Sequence, residues 1–455
     1  MTRWIALVLG AVLLVWPALM NGYPLTFVDT VSYLLHTIQW RHPWDKTAAY
    51  GPFLYAFHWG WTLWLPLAAQ GLIASHLLWL AQRVATGGAT PARHLAVTAA
   101  LALLTTAPWF TAIMMPDALT PIVVIALYLL GFGEERLSRG ERSWVTVIAA
   151  IAVAVHLSHL PTAAGLVLLA ALLRRRARPV LRTALPVAMA VAFLLAANLI
   201  AFGRPVLSAH GSFFLLARLQ ADGPAVETLR DRCPSAGWYL CDYIHTMPMD
   251  SDHFLWSPES PPQVDRFGNR REMGGTLLTP EAREIVAATL RDRPFAVARA
   301  MAWNTLRQLV TTRLGDVLDN TDLQHSVQIG IRDQFGPREL ARFNLGAQMR
   351  GDLERLAAPF IAVQGPVLVV ALLAVLAWLP RRDAWRDPRR LGFVLFMLAG
   401  ILGNAFATGA LSAPHQRYGA RIVWILPLAA MVAWMPRAAP ASARGEALRR
   451  AAAAS

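Results

Sequence analysis

The sequence predicts an all-α polytopic membrane protein with about ten transmembrane helices and a mainly helical extracytoplasmic domain. Hydrophobic residues make up 56% of the 455-residue chain and charged residues only 15%, whereas soluble domains carry about 25% charged residues. Arginines cluster in alternate turns between the apolar runs, as the positive-inside rule requires. The net charge of +14 therefore indicates membrane topology rather than nucleic-acid binding.

The predicted spans are apolar segments of near-helical length that polar turns separate. They lie at 4–20, 53–80, 95–110, 119–132, 144–155, 162–173, 183–202, 360–379, 391–411 and 422–435. The first resembles a signal peptide, but Pro17 to Met20 form a poor cleavage site, so we favour an uncleaved anchor. The most basic turn, RRRARPVLR at 174–182, marks the cytoplasmic side.

These spans divide the chain into four parts. A membrane module of about seven spans occupies 1–202, and a second of about three spans occupies 360–436. Between them, the polar region 203–359 is long enough for a domain. A basic tail follows at 437–455. An even number of crossings places both termini in the cytoplasm and the domain in the periplasm, so we expect a multi-pass protein of a bacterial inner membrane.

The polar stretch 21–50, directly after the first span, is the predicted catalytic loop. Apolar residues recur at helical spacing from Val28 to Ile38, so we expect an amphipathic helix lying in the membrane interface. Asp29 stands at the start of this helix. Lys46, the only lysine of the chain, lies in the turn that follows it.

The two cysteines, Cys233 and Cys241, lie close together within the predicted domain. Their spacing suits a small disulfide loop, which requires an oxidising compartment such as the periplasm. The spacing does not match a CxxC metal motif.

Carboxylates and cations recur in the turns that the topology places outside. A carboxylate near the bilayer surface can act as a base or as a metal ligand, and cations can stabilise a phosphate group. Asp29 and Asp117 are the candidate carboxylates. The candidate phosphate or lipid-carrier ligands are the outer cations Arg41, Lys46, Arg417 and Arg421. The need for a cofactor stays open, with a divalent metal ion as one option.

Four short segments resemble a known superfamily. They are FVDTVSYL at 27–34, YGPFLYAF at 50–57, MMPDALTP at 114–121 and HQRYGARIVWILPL at 415–428. Together with the large outer domain, they look like the membrane-embedded glycosyltransferases of the GT-C superfamily. The resemblance implies a GT-C-like fold, a polyprenyl-phosphate-linked sugar donor, a glycan or lipid acceptor, and Asp29 and Asp117 as the catalytic acids. The adjacent acid pair of that superfamily is absent, because Thr30 follows Asp29.

Each candidate also has a simpler explanation. Asp29 and Asp117 stand where carboxylates cap helices, and Asp45 with Lys46 could form a solvated turn. His156 and His159 lie three residues apart at the end of a span, which suits polar interfacial residues better than a metal site that lacks a nearby carboxylate. Arg417 and Arg421 lie on one helical face outside the membrane, against the positive-inside bias, which favours an anionic partner.

Three functions remain open from sequence alone. A transferase is favoured, and an O-antigen polymerase or ligase would instead use Arg204, His210 and Arg218. A transporter usually carries ionisable groups within its spans, and the predicted span interiors hold no acid. An assembly protein whose outer domain binds a partner is the third class. The absence of a GxxxxGK[ST] motif argues against a nucleotide-driven pump.

The topology predicts that Ser412 faces the periplasm. A membrane-impermeant maleimide should label Ser412→Cys in intact spheroplasts as completely as in permeabilised ones, because the turn is already exposed outside. The parent protein is the control, since its cysteines are expected to be oxidised. Labelling that requires permeabilisation would contradict the predicted topology.

Overall fold

The computed structural model describes residues 1–39, 42–271 and 273–437. Within these residues the chain is helical, and β-pairing is limited to two isolated bridges, Leu25 with Ile113 and Val264 with Arg270. The all-α class is therefore confirmed for the described residues. Five of their helices are long and apolar enough to cross a membrane: Arg3–Asn21, Trp64–Thr86, Ala177–Phe202, Leu353–Trp378 and Pro388–Ala410. Shorter apolar helices are Pro91–Leu104, Pro116–Phe132 and His159–Arg174.

The first part of the chain forms the helices α1 Arg3–Asn21, α2 Thr30–Gln39, α3 Tyr50–His58, α4 Trp64–Thr86, α5 Pro91–Leu104, α6 Ala107–Thr111, α7 Thr120–Phe132, α8 Arg139–Ala154, α9 His159–Arg174 and α10 Ala177–Phe202. A 3₁₀ turn, Pro116–Leu119, precedes α7. Thr90 and Pro91 illustrate a helix start of this region: the Thr90 side chain accepts a hydrogen bond from the Arg93 backbone, and proline occupies the first helical position.

The middle region forms α11 Gly211–Ala221, α12 Pro224–Arg232, α13 Ser251–Trp256, α14 Gly274–Asp292, α15 Pro294–Val310, α16 Val327–Gln334 and α17 Pro337–Leu345. The last part forms α18 Leu353–Trp378, α19 Arg382–Trp385, α20 Pro388–Ala405, α21 Gln416–Val423 and α22 Ile425–Trp434. A π-helical turn, Phe406–Ala410, extends α20. The helix α18 begins at Leu353, several residues before the start at 360 that the sequence predicts for the span.

The second predicted span, 53–80, is wrong in its bounds. The helix α3 ends at His58, because the next two residues, Trp59 and Gly60, adopt positive φ angles of 42° and 76°. The backbone N–H of Gly60 donates to Nδ1 of His58 at 2.9 Å, which closes the turn. The long apolar helix is α4, and α3 belongs to the polar loop before it.

The interfacial helix predicted over 28–38 packs against protein instead. The structure places α2 between α3 and α16, where Val31 and Leu34 contact Gly330 and Tyr33 packs edge-on against Tyr50. Tyr33 and Leu34 are buried. Amphipathic spacing requires an apolar surface to bury against, and here α16, which is distant in sequence, supplies that surface.

Residues of the stretch 311–352 form hydrogen bonds with the start of the predicted catalytic loop. The Gln348 side chain accepts a hydrogen bond from the Thr26 backbone N–H and donates to the Thr26 carbonyl, at 3.1 and 2.8 Å. The Gln348 backbone N–H donates to Oδ1 of Asn21 at 2.6 Å, and the Tyr23 hydroxyl donates to Glu339 at 3.0 Å. Buried polar groups need such partners, so these bonds hold the loop in one conformation.

The region 203–310 has a separate apolar core. This core includes Phe213, Leu229, Phe254 and Ile285, whereas apolar residues after 310 join the core of the membrane helices. The disulfide predicted between Cys233 and Cys241 is present beside the separate core, with the two Cα atoms 5.5 Å apart.

Two glycines allow α15 to pack closely on the last membrane helices. A Cβ on Gly409 would lie 2.5 Å from the Asn304 carbonyl oxygen, and one on Gly419 would lie 2.0 Å from that of Thr311. Both neighbours are backbone atoms, which cannot move aside as a flexible side chain can. Only glycine is compatible with this approach.

We expect Gly419→Ala to lower the free energy of unfolding by about 1–3 kcal/mol, because the added methyl group overlaps the Thr311 carbonyl. Gly165→Ala is the matched control: it lies in α9 with open space around the added Cβ, and alanine there should stabilise the helix by about 0.5–1 kcal/mol. Unfolding in detergent micelles measures both variants. Equal stability of the two would contradict the close packing.

Candidate functional site

Polar turns from distant parts of the chain meet at one end of the helix bundle, which we call the loop end. It comprises 22–39, 42–63, 105–119, 155–158 and 411–415 together with the start and end of region 203–352. The Leu25–Ile113 bridge joins two of these turns, and the Thr47 hydroxyl donates to the Val155 carbonyl at 2.9 Å to join two more. Contacts between distant residues therefore define this end.

The opposite end, which we call the arginine end, contains the basic turns. Arg83 pairs with Glu141 at 2.5 Å and Arg182 with Glu134 at 3.0 Å. Arg389 pairs with Glu135 in the same region. Arginine clusters and the candidate site thus lie at opposite ends of the same helices.

Five predicted site residues form one ion network at the loop end. Lys46 Nζ lies 3.1 Å from Asp29, and Arg417 Nη1 lies 3.6 Å from the other oxygen of Asp29. Arg417 Nε also lies 3.8 Å from Asp117, and Arg421 Nη1 lies 3.3 Å from the same Asp117 oxygen. Arg417 therefore links the two carboxylates. The remaining predicted cation, Arg41, lies outside the described residues.

The carboxylate of Asp117 is not a helix cap. The side chain of Asp117 is 1% exposed and makes no capping hydrogen bond at its 3₁₀ turn or at α7. Asp29, which is 31% exposed, directs its carboxylate at Lys46 and Arg417. The capping explanation is therefore wrong for Asp117, and the carboxylate of Asp29 serves the ion network.

Lys46 is held between two acids. Its ammonium group lies 2.7 Å from Asp45 and 3.1 Å from Asp29, and its side chain is 12% exposed. Burial acts to lower the pKa of Lys46, but the charges of Asp29 and Asp45 raise it above its usual value. Lys46 is therefore a fixed cation, and the solvated-turn explanation is wrong.

Asp29 is ionised for the converse reason. Burial alone would raise the pKa of this carboxyl, but Lys46 and Arg417 outweigh burial and hold it below its usual value. The pKa of the neighbouring Tyr33 phenol shifts in the opposite direction, upwards. Burial, reinforced by Asp29 and Asp117, raises the pKa of Tyr33 well above 10.0, so its hydroxyl remains a neutral donor.

Arg421 is the most enclosed member of the network, with a side chain that is 0% exposed. Its Nε and Nη2 donate to Oδ1 of Asn404 at 3.1 and 2.8 Å, and Nη2 also donates to Oγ of Ser158 at 2.9 Å. The ring of Tyr418 lies 4.9 Å from its guanidinium carbon. Asn404 and Ser158 were not predicted as site residues. Asn404 had one sequence signal, as a polar residue inside an apolar span.

Ser158, which is bonded to Arg421, also orients the ring of His156. The backbone N–H of Ser158 donates to Nδ1 of His156 at 3.2 Å, and the Ser158 hydroxyl lies 2.7 Å from the same atom. A backbone N–H can only donate, so Nδ1 is the acceptor and the ring proton resides on Nε2. Burial, together with the charge of Arg421, lowers the pKa of His156 well below 6.5, which keeps the ring neutral.

His159 has a different role. Its Nδ1 donates to the Ala152 carbonyl at 2.6 Å, and its Nε2 accepts from the Thr120 hydroxyl at 2.8 Å. Both ring nitrogens are thus used within the helix bundle. His156 and His159 consequently do not form a pair of metal ligands.

The network also does not suit a divalent cation. No group of three or more His, Cys, Asp or Glu side chains with metal-site geometry occurs in residues 1–39, 42–271 and 273–437. Asp29 and Asp117 are already neutralised by Lys46, Arg417 and Arg421, and these cations would repel a metal ion. The donor set is instead suited to a compact anion.

Two buried atoms of the network lack a hydrogen-bond partner within the described part of the chain. They are Oδ2 of Asp117, an acceptor, and Nη1 of Arg417, a donor. Buried polar atoms without partners are rare and costly, and they often mark the place of a ligand or of water. Here the unpaired acceptor and the unpaired donor belong to residues that contact each other.

The residues of the polymerase-like alternative lie apart from the network. Arg218 forms a two-point pair with Asp222, at 2.9 and 2.6 Å. Nδ1 of His210 lies 2.9 Å from the Thr279 hydroxyl, and Arg204 is exposed. The ring of His210 packs against Trp44, which belongs to the predicted catalytic loop.

Comparisons of the chain with protein-family models, with curated proteins and with solved structures return no match.

We expect Arg421→Gln to lower the free energy of unfolding by about 3–5 kcal/mol, because it leaves the Asp117 carboxylate buried without its nearest cation. The double variant Asp117→Asn/Arg421→Gln should be more stable than Arg421→Gln alone, since both charges are then removed. Unfolding in detergent micelles measures the full double-mutant cycle. Additive losses from the two substitutions would contradict direct coupling between these residues.

Proposed function

We propose that the protein is an integral-membrane glycosyltransferase of the GT-C type. It transfers a sugar from a polyprenyl-phosphate carrier to a cell-envelope glycan or lipid at the outer face of a bacterial inner membrane. The observation that carries this proposal is the ion network, in which Asp29, Asp117, Lys46, Arg417 and Arg421 converge at one end of a membrane-helix bundle. Its donors suit a phosphate, and its carboxylates suit an attacking hydroxyl.

Ten crossings agree with the arrangement of the helices. Apart from the five long helices, the additional crossings would be α5, α7, α8, α9 and the pair α21–α22. The arginine end then faces the cytoplasm, in agreement with the positive-inside rule. The loop end faces the periplasm, where the disulfide of region 203–310 is stable.

The donor phosphate binds to Arg417 and Lys46. Both are nearly buried cations that need no ordering at the moment of binding, and Nη1 of Arg417, which lies 3.6 Å from Asp29 but makes no hydrogen bond, can donate an N–H. A phosphate bound to Arg417 and Lys46 weakens the ion pairs that these two residues form with Asp29. The carboxylate of Asp29 then becomes more basic only when the donor is present.

Transfer proceeds by attack of the acceptor hydroxyl on the anomeric carbon. The new carbon–oxygen bond forms as the bond from that carbon to the phosphate oxygen breaks. The hydroxyl proton passes to Asp29, and the bonding electrons leave with the polyprenyl phosphate. Arg417 stabilises the charge that develops on the leaving phosphate. Arg421 and Asp117 position Arg417 and do not themselves exchange a proton.

Two neutral donors complete the site. The Nε2–H of His156 and the hydroxyl of Tyr33 belong to residues beside the network, and both groups stay uncharged at neutral pH. Neutral donors can bind sugar hydroxyls without competing with the cations for the phosphate. They are therefore the candidates for orienting the sugar.

A transporter of lipid-linked saccharides is the second candidate, because Asp117 and Arg421 are an acid and a cation buried together. Buried ionisable pairs of this kind also occur in transport pathways. The two functions differ in their product, since a transporter moves the carrier-linked sugar unchanged.

We expect Asp29→Asn to abolish transfer, so that cells accumulate carrier-linked sugar and unmodified acceptor as a deletion strain does. The amide cannot accept the hydroxyl proton. Glycan and lipid-linked-sugar profiling at matched protein levels measures this. Asp333→Asn, on the exposed surface of α16, is the matched control and should behave as the parent protein. A fully active Asp29→Asn variant would refute the proposed mechanism.

A further inference from the structure

One face of α15 exposes a stripe of four large apolar side chains, which Arg299 interrupts. Phe295, Trp303, Leu306 and Val310 are between 59% and 88% exposed. At 3.6 residues per turn they fall within an arc of about 80° on the helix. Scattered exposed apolar residues are common, but four large ones on one face of a single helix need an apolar partner.

The opposite face of α15 fixes where this stripe lies. Asn304 and Gln308 are buried there, and the Gln308 side chain bonds to the His415 backbone at 2.9 Å in both directions. Gly409 lies in the last turn of the candidate span Pro388–Ala410. The Asn304 carbonyl oxygen packs so closely on it that a Cβ at Gly409 would lie only 2.5 Å from this oxygen. Therefore α15 packs alongside the last turns of a candidate membrane span.

The surface of that span is itself apolar and exposed up to this contact. Leu402 is 54% exposed and Phe406 is 43% exposed, and they lie within two turns of Gly409. Ile200, near the end of α10, is 86% exposed as well. Ile200 lies close to the end of α10 at Phe202, and Leu402 and Phe406 lie close to the end of their span at Ala410.

We infer that α15 is an interfacial helix whose apolar stripe lies in the outer lipid leaflet, so that region 203–310 rests on the bilayer rather than standing free above it. Lipid is the occupant because α15 packs alongside the span whose exposed apolar residues, Leu402 and Phe406, would themselves face lipid in a membrane. Arg299 lies within the arc of the stripe, where its long side chain can extend to lipid phosphates. An exposed Trp303 suits the interface for the same reason.

This inference does not depend on the glycosyltransferase proposal. It does bear on the position of region 203–310. A helix anchored in the leaflet would hold this region next to the lipids, from which a lipid-linked substrate would reach the candidate site. The sequence prediction placed the interfacial helix at 28–38, where the structure shows protein contacts instead.

The test uses the full-length protein in liposomes of phosphatidylcholine and phosphatidylglycerol. Both native cysteines are in the disulfide, so one introduced cysteine carries a fluorophore uniquely. Leu306→Cys and Val310→Cys report on the stripe. Val370→Cys, 66% exposed in α18, is the lipid control, and Glu259→Cys, in an exposed polar turn of region 203–310, is the aqueous control. Unchanged elution on size exclusion verifies that each variant is folded.

Labels at 306 and 310 should be quenched severalfold more strongly by doxyl-labelled lipid than by aqueous iodide, as at 370. The label at 259 should show the reverse. Strong iodide quenching at 306 and 310 would overturn the inference, because the stripe would then face water. Protection from both quenchers would overturn it too, because protein, such as a second copy of the chain, would then cover the stripe.

Discussion

The arrangement of the loop end depends on Arg421, a cation with no exposed surface. Its guanidinium is held by Asp117, Asn404 and Ser158, which belong to three different parts of the chain. A buried charge must be neutralised and hydrogen-bonded, so these three segments have to meet in one way. The position of Arg417, one helical turn earlier, follows from this constraint.

The loop that carries Asp29 is fixed by a second constraint of the same kind. Gln348 bonds to both backbone groups of Thr26, and its own backbone N–H bonds to Asn21. These bonds orient the segment that leads to Asp29, while Lys46, which follows α2 in the chain, lies 3.1 Å from the Asp29 carboxylate. Both carboxylates thus lie in the first half of the chain and are held by residues of the second half. Neither half could form the site alone.

Part of this site follows from sequence. Alternating apolar and basic segments assign Asp29, Lys46, Asp117 and Arg417 to one end of the bundle, since each lies in an alternate turn. Their pairing does not follow, because it depends on side-chain contacts across about 300 residues. Ser158 and Gln348 carry no local signal at all. The helix at 30–39 illustrates the same limit: its spacing predicts an amphipathic helix but cannot distinguish lipid from α16 as the partner.

Lys46 is the chain's only lysine, and two carboxylates enclose its ammonium group. Apart from the amino terminus, the protein therefore offers amine-directed reagents a single target, and that target lies in the ion network. Acylation requires the neutral amine, which the paired acids disfavour. The reactivity of Lys46 towards such a reagent therefore reports on the ion network. It distinguishes the network with its internal ion pairs intact from one in which an external anion has replaced them.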